Sequence, residues 1–166
     1  REGVGIGEGT GKMSEDIPTY HALHTETARR HSAPVRDPKF FRILCEELVG
    51  SDLARVTFAE QRSSRIAGLI CLKGPGEPKT LHIYSNVSTE SAGPLNATDL
   101  LYWEAIQWAR ENGFDEVDMG LSPRDPAHSL CRFKEKWGAE RRVLYLAEKR
   151  GMLDRIISHF RYPLRM

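Results

Sequence analysis

Long hydrophobic runs, paired cysteines and an excess of either charge are all missing from this chain. None of its apolar stretches approaches the ~18 residues that a membrane-crossing helix needs. The opening REGVGIGEGTGK holds no apolar segment of signal-peptide length. We therefore expect no membrane span and a cytoplasmic setting. Lys and Arg number 24 and Asp and Glu 23, a formal net charge of +1. No long-range field draws the whole surface towards nucleic acid or membrane, so a polyanion must find a local patch. Only three cysteines occur, Cys45, Cys71 and Cys131, scattered and odd in number. Each sits in or beside an apolar run, which reads as buried free thiols. With no Cys-x-x-Cys or Cys/His pairing, no metal site is expected.

What remains is an ordinary globular composition, 40% hydrophobic and 28% charged over 166 residues, enough for one domain with a real core. Residues 1–14 are glycine-rich and read as a flexible segment; residue 1 is Arg and the first methionine is Met13, so a piece of a longer protein is expected. DIPTYHALHTETARRH then reads as a helix. DPKFFRILCEELVG reads as a second, with Asp37 as N-cap, Pro38 at the first helical position, Gly50 after the end and a stripe of Phe41, Leu44, Cys45 and Leu48. LARVTFAE and RIAGLICLKG, joined by QRSS, form a hairpin, and KTLHIYSNV follows as a third strand. NATDLLYWEAIQWARENG is the strongest helix, capped by Asn96 with Asp99 in a capping-box position and stopped at Gly113. FDEVDMG alternates as a short strand. A helix from Asp125–Pro126 to Gly138, a strand ERRVLYLAE and a terminal amphipathic helix MLDRIISHF complete the order. Antiparallel strands first and alternating helix and strand later make an α+β fold with a mixed sheet, the domain spanning 15–150 and the last helix and tail 151–166.

Several candidate motifs fail on spacing. GVGIGEGTGKMS is not a phosphate loop: Ile6 stands where the first glycine belongs, and Met13 replaces the Ser or Thr. His21 and His24 lie three apart on a helix without a further ligand at zincin spacing, and read as two partly exposed histidines. His82 faces opposite to Leu81 and Ile83, which alone shows nothing catalytic. His128 beside Ser129 lacks a nucleophile elbow. Asp115, Glu116 and Asp118 cluster at a strand end, where Asp118 is either a structural polar residue or an acid lining a site.

Lys134 is the strongest local signal. In SLCRFKEKWGAE, Leu130, Phe133 and Trp137 mark the buried stripe, and Lys134 lies only about 65° from its centre. A lysine at a core edge either snorkels or holds an oxyanion or phosphate where scarce water strengthens its field. Arg132, Lys136, Arg141 and Arg142 add a basic neighbourhood suited to an anionic donor or acceptor.

The stretch LLYWEAIQWARENGFDEVDMGLSPRDPAHSLCRFKEKWGAE resembles the second GNAT-like domain of FemAB-family transferases. The likeness lies in the Trp103-bearing helix, Gly113, then Asp-Met-Gly at 118–120 and Phe-Lys-Glu-Lys-Trp-Gly at 133–138. Upstream, the paired helices with Thr27 and Arg30 look similar as well, so the resemblance covers roughly residues 17–148; related domains called BioF2-like acetyltransferase share the core. It implies a GNAT-like, mostly antiparallel sheet flanked by helices, and transfer of an acyl or aminoacyl group to an amine. In the peptidoglycan branch the acceptor is a cell-wall precursor and the donor aminoacyl-tRNA; acyl-CoA is the other donor, and no resident cofactor is implied. Phe133 and Lys134 then match the pair at the donor's reactive end, with Lys134 stabilising the oxyanion of aminolysis. Tyr84 and Arg30 fall on the acceptor side; Lys136, Trp103 and Asp118 complete the substrate-binding set. The Arg/Gln-x-x-Gly-x-Gly/Ala loop that holds the CoA diphosphate in GNAT enzymes has no counterpart in YSNVSTESAGPLNATD, which leaves a helix N-terminus at Asn96 for a phosphate. REGVGIG resembles the end of a first GNAT-like domain, expected as a partner within the same protein. Two other readings stand beside this one: a small-molecule N-acyltransferase using acyl-CoA, and a non-catalytic, partner-binding domain.

Overall fold

β-branched and aromatic residues dominate the middle of the chain, and the computed structural model, which describes residues 3–9 and 16–143, gathers them into one five-stranded sheet. In chain order the elements are β1 (Gly5–Glu8), α1 (Asp16–Arg30), α2 (Pro38–Leu44), β2 (Ala54–Gln61), β3 (Ser64–Lys73), β4 (Thr80–Ser88), α3 (Ala97–Glu111), β5 (Glu116–Asp118) and α4 (Ser129–Glu135). The strands lie in sequence order. β1 to β4 pair antiparallel, and β5 joins β4 in parallel through the α3 crossover. This is the expected α+β fold, a mostly antiparallel sheet flanked by helices.

The two sheet faces bury separate cores. Tyr20, Leu23, Phe41 and Leu44 of α1 and α2 pack on Val56, Phe58, Ile70 and Val87. Leu101, Tyr102 and Ala105 of α3 pack on Leu69, Cys71, Leu81 and Ile83. Each fully buried large side chain among these, such as Phe58, Leu69 or Leu101, contributes about 1.5–3 kcal/mol. Gly68 makes room for the first core: a Cβ there would stand 3.0 Å from the Tyr20 ring. Arg55 ties both sides of the outer strands, bonding Glu8 of β1 and Glu104 of α3 while its guanidinium lies over Trp108.

β4 carries a bulge that matters below. Ile70 pairs with Ser85 and Cys71 with Ile83, so Tyr84 is the extra residue. The bulge reverses the alternation. Leu81 and Ile83 face α3, whereas Val87 faces α1 and α2.

Several expectations change. Residues 5–8 are not loose: Gly5, Ile6, Gly7 and Glu8 pair with Glu60, Ala59, Phe58 and Thr57, because β2 offers an open edge to the backbone whatever the side chains. Asp37 does cap α2, accepting from Lys39 N at 2.7 Å, and the helix then widens into a π turn over Cys45–Val49. Asn96 does not cap α3. The chain arrives through a 3₁₀ turn holding Pro94, which puts Asn96 at φ +52°, a left-handed conformation in which its side chain makes no cap bond. Asp99 pairs with Lys136 instead of closing a capping box. α4 starts at Ser129, not at Asp125: His128 Nδ1 accepts from Leu130 N, and Asp125 makes its own turn by accepting from Ala127 N. Cys71 and Cys131 are buried and Cys45 half-buried; burial pushes the Cys71 thiol up to about 12 and raises Cys45 as well. The expected strand at 140–148 lies for the most part, and the helix at 152–160 wholly, outside the described residues; 140–143, which are described, form no strand. Among the described residues no helix is long and apolar enough to cross a membrane.

Candidate active site at the parting of two strands

β5 is three residues long and β4 is nine. Their ladder runs Thr80–Glu116, Leu81–Val117, His82–Asp118 and stops. Beyond His82, no strand among the described residues covers that edge of β4, which runs on through Tyr84 to Ser88. The parting is fixed on both sides. Asp118 holds its end: Oδ2 meets His82 Nδ1 at 3.0 Å and Oδ1 accepts from Gly120 N at 2.8 Å. Burial raises the Asp118 carboxyl, but the Gly120 N–H, His82 and the Lys134 charge outweigh it and hold the carboxyl below its ordinary value. Gly120 has φ +73°, so the chain turns away here through a conformation that a side chain would strain.

α4 holds the loop that joins it to β5. Its buried side chains are Cys131 and Lys134, one helical turn apart. Lys134 Nζ donates to Gly120 O and to Leu121 O, both at 2.8 Å. Cys131 Sγ reaches Pro123 O and Asp125 O. The expected stripe is thus rolled: Leu130 is 37% exposed while Lys134 is 7% exposed. The reason is polar: the ammonium turns inward to donate to two carbonyls of the loop, which an apolar side chain at 134 could not do. Burial lowers the Lys134 pKa, and the Asp118 charge partly restores it. An ammonium has three N–H groups, and two of them are used by these carbonyls.

On the opposite face, Tyr84 is 42% exposed and its ring stacks on Phe40 at 6.5 Å. The Arg36 guanidinium lies 4.7 Å from the Phe40 centroid. His21 and His24 turn out to serve this segment. His24 Nε2 accepts from Arg36 N at 3.1 Å, and His21 Nε2 lies 3.0 Å from Arg36 O, as donor to it. Burial, then His21 and Arg36, lower the His24 pKa, which favours the neutral ring that this bond requires. Among the described residues no group of His, Cys, Asp and Glu is arranged to hold a metal.

The remaining site candidates scatter. Arg30 donates to Ser88 O and Oγ at the far end of β4, about 16 Å along an extended strand from the Lys134 end. Phe133 packs edge-on against Tyr102 at 5.0 Å. Trp103 stacks on Trp137, and Lys136 lies over Phe133 and Trp137 while pairing with Asp99. Lys134 and Asp118 therefore come together at the parting of the strands, Tyr84 lies at the bulge two residues beyond His82 on the other face, Arg30 stands apart at the far end of β4, and Phe133, Trp103 and Lys136 knit α4 to α3. Sequence reasoning passed over His82, Arg36 and Phe40. Only the pairing of β4 with β5 gives His82 a partner, and nothing local to Arg36 or Phe40 announces the contacts they make.

The chain matches a family model described as an acetyltransferase (GNAT) domain over residues 7–158. No curated protein shows a significant match. Among solved structures, it is similar to a possible acetyltransferase from Clostridium difficile 630, with TM-score 0.73, 10% identity, 91% of this chain and 99% of that one covered. An aminoglycoside acetyltransferase from an uncultured soil metagenomic sample, solved with sisomicin, gives TM-score 0.67 at 15% identity, covering 89% and 97%. AAC(6')-Iy, solved with a bisubstrate analogue of CoA and an acetylated neamine, gives 0.67 at 14%, covering 88% and 98%. At these identities the likeness is one of fold.

Proposed function

The chain belongs to the acetyltransferase (GNAT) domain family and is an acyltransferase by that membership; from this premise we propose that it moves an acetyl group from acetyl-CoA to an amine at the parting of β4 and β5. The observation that carries the reading is the edge of β4 beyond His82, which no strand among the described residues covers. Backbone N–H and C=O groups on such an edge accept an extended, amide-bearing donor as they would another strand. The bulge at Tyr84 then marks where the acyl end comes to rest. The N-terminus of α3, whose first N–H groups have no side-chain cap, receives the diphosphate in place of the absent glycine-rich loop.

Acetyl-CoA supplies an activated acyl carbon and a thiolate leaving group. The N–C bond forms as the C–S bond breaks, and the proton lost by nitrogen is matched by the one the thiolate takes up. The chain's own part is to align the amine with the carbonyl and to meet the charge that grows on its oxygen. We assign the second task to Lys134, anchored by Gly120 O and Leu121 O so that its charge is fixed in place. The Asp118 charge offsets part of the lowering that burial imposes on that ammonium, and His82 holds Asp118 in position. Acetyl-CoA is preferred to charged tRNA because the matched family is one of acetyltransferases. The aminoacyl transfer and cell-wall acceptor implied by the FemAB-like resemblance remain the narrower form of the same chemistry.

The test is free-thiol release from acetyl-CoA with a panel of amines, paired with calorimetric titration of acetyl-CoA alone. Saturable binding and amine-dependent thiol release are expected. Silence in both would sink the proposal and favour a partner-binding domain, or a charged-tRNA donor.

A further inference from the structure

The residues between α1 and α2 are exposed throughout from His31 to Lys39. A connection of this kind is ordinarily left to water. Here its middle is fastened: both backbone polar groups of Arg36 are held from α1, the N–H by His24 and the carbonyl by His21. What that fastening fixes is the origin of the Arg36 side chain. The guanidinium lies over Phe40, and Phe40 lies on Tyr84, at the bulge. A continuous row of cation, ring and ring thus leads from the loop to the parting of the strands. Among the described residues no carboxylate pairs with Arg36. Between His31 and Arg42 the chain holds one acid, Asp37, and its carboxylate is committed to Lys39 N. Arg29 and Lys39 add positive charge at the two ends of the segment.

We propose that this row selects the acceptor, and that the acceptor is an amine that also carries a carboxylate. The carboxylate pairs with Arg36, whose planar fork suits it better than a lysine would. The apolar or planar body lies on Phe40 and Tyr84, and the amine reaches the donor at the β4 edge. The same positive segment disfavours a polycationic acceptor, since like charges brought together cost affinity and slow encounter. This inference rests on the acetyl transfer proposed above and adds the class of its acceptor.

The experiment measures initial rates of thiol release from acetyl-CoA with matched acceptors: L-phenylalanine against L-phenylalaninamide, L-tryptophan against L-tryptophanamide, and spermidine as the polycation. The amides carry the less basic amine and start with a chemical advantage. A kcat/KM for the carboxylate members at least about tenfold above their amides is expected, the size of one charged hydrogen-bonded contact. Arg36→Ala should bring the ratio to near one, leave the KM for acetyl-CoA unchanged and leave the circular dichroism spectrum intact; Arg36→Lys should keep part of the preference. Amides turned over as well as acids, or spermidine preferred, would overturn the inference. A rise in the acetyl-CoA KM in Arg36→Ala would do so too, by placing Arg36 on the donor. Binding of acetyl-CoA without turnover of any carboxylate-bearing amine also counts against it. Failure to bind acetyl-CoA at all would instead remove the acetyl-transfer reading, and this inference with it.

Discussion

Replacing Lys134 with methionine is expected to lower kcat about 100-fold, the scale on which a group that meets transition-state charge acts. The KM for acetyl-CoA should change little, because the interaction is made in the transition state more than in the bound donor. Methionine keeps the unbranched apolar stem and lacks only the terminal ammonium, so it removes the charge and its two bonds with little other loss of packing. Stability should fall by about 2 kcal/mol, as Gly120 O and Leu121 O each lose a donor. That loss is bounded from above, because removing a buried ammonium also removes its desolvation cost. The two effects separate cleanly. Kinetics at a temperature well below the melting point read the first, and urea unfolding reads the second. Stability lost with kcat intact would leave Lys134 an anchor for the loop and nothing more.

Asp16→Ala is expected to destabilise the fold strongly for the loss of a single polar side chain. Asp16 opens α1, is 3% exposed, and accepts from Arg65 NH1 at 2.5 Å. Arg65 also bonds Glu60 and lies 4.1 Å over the Phe58 ring. One pair thus joins the first turn of α1 to β3 and to the centre of the core beneath it. Deleting the carboxylate leaves a guanidinium facing that core with half its partners gone. Breaking a buried pair costs ~3–5 kcal/mol. Glu60 stays and Arg65 is partly solvated, so about 3 kcal/mol is expected, with a fall of about 10 °C in Tm for a domain of this size. Thermal unfolding followed by circular dichroism reads it directly. A drop of only a degree or two would mean that Glu60 alone satisfies Arg65.

Most of the sheet was legible in the sequence because its signals are local. The hairpin of β2 and β3 and the cap of α2 at Asp37 follow from alternation and from one side-chain oxygen two residues from its donor. What escaped depends on partners far away. Helical spacing puts Lys134 at the edge of the stripe, but nothing in SLCRFKEKWGAE announces the carbonyls of Gly120 and Leu121, 14 and 13 residues earlier. His21 and His24 read as idle because their partner is the backbone of Arg36, and any residue there would offer the same groups. β1 was hidden by its glycines, which carry no pattern. The bulge at Tyr84 reverses the faces of β4, so strict alternation assigns Val87 to the wrong core. The site suffers most from this. Its members come from a bulge inside β4, the end of β5 and helix α4, and only the parallel pairing of β4 with β5 brings Asp118 to His82.

Backbone amide exchange on adding saturating acetyl-CoA tests most directly whether the donor lies along β4 beyond His82. Slowed exchange is expected, confined to Tyr84–Ser88, the Gly120–Leu121 turn and the first turn of α3. Protection elsewhere with those amides unchanged, under conditions where titration shows acetyl-CoA bound, would contradict it.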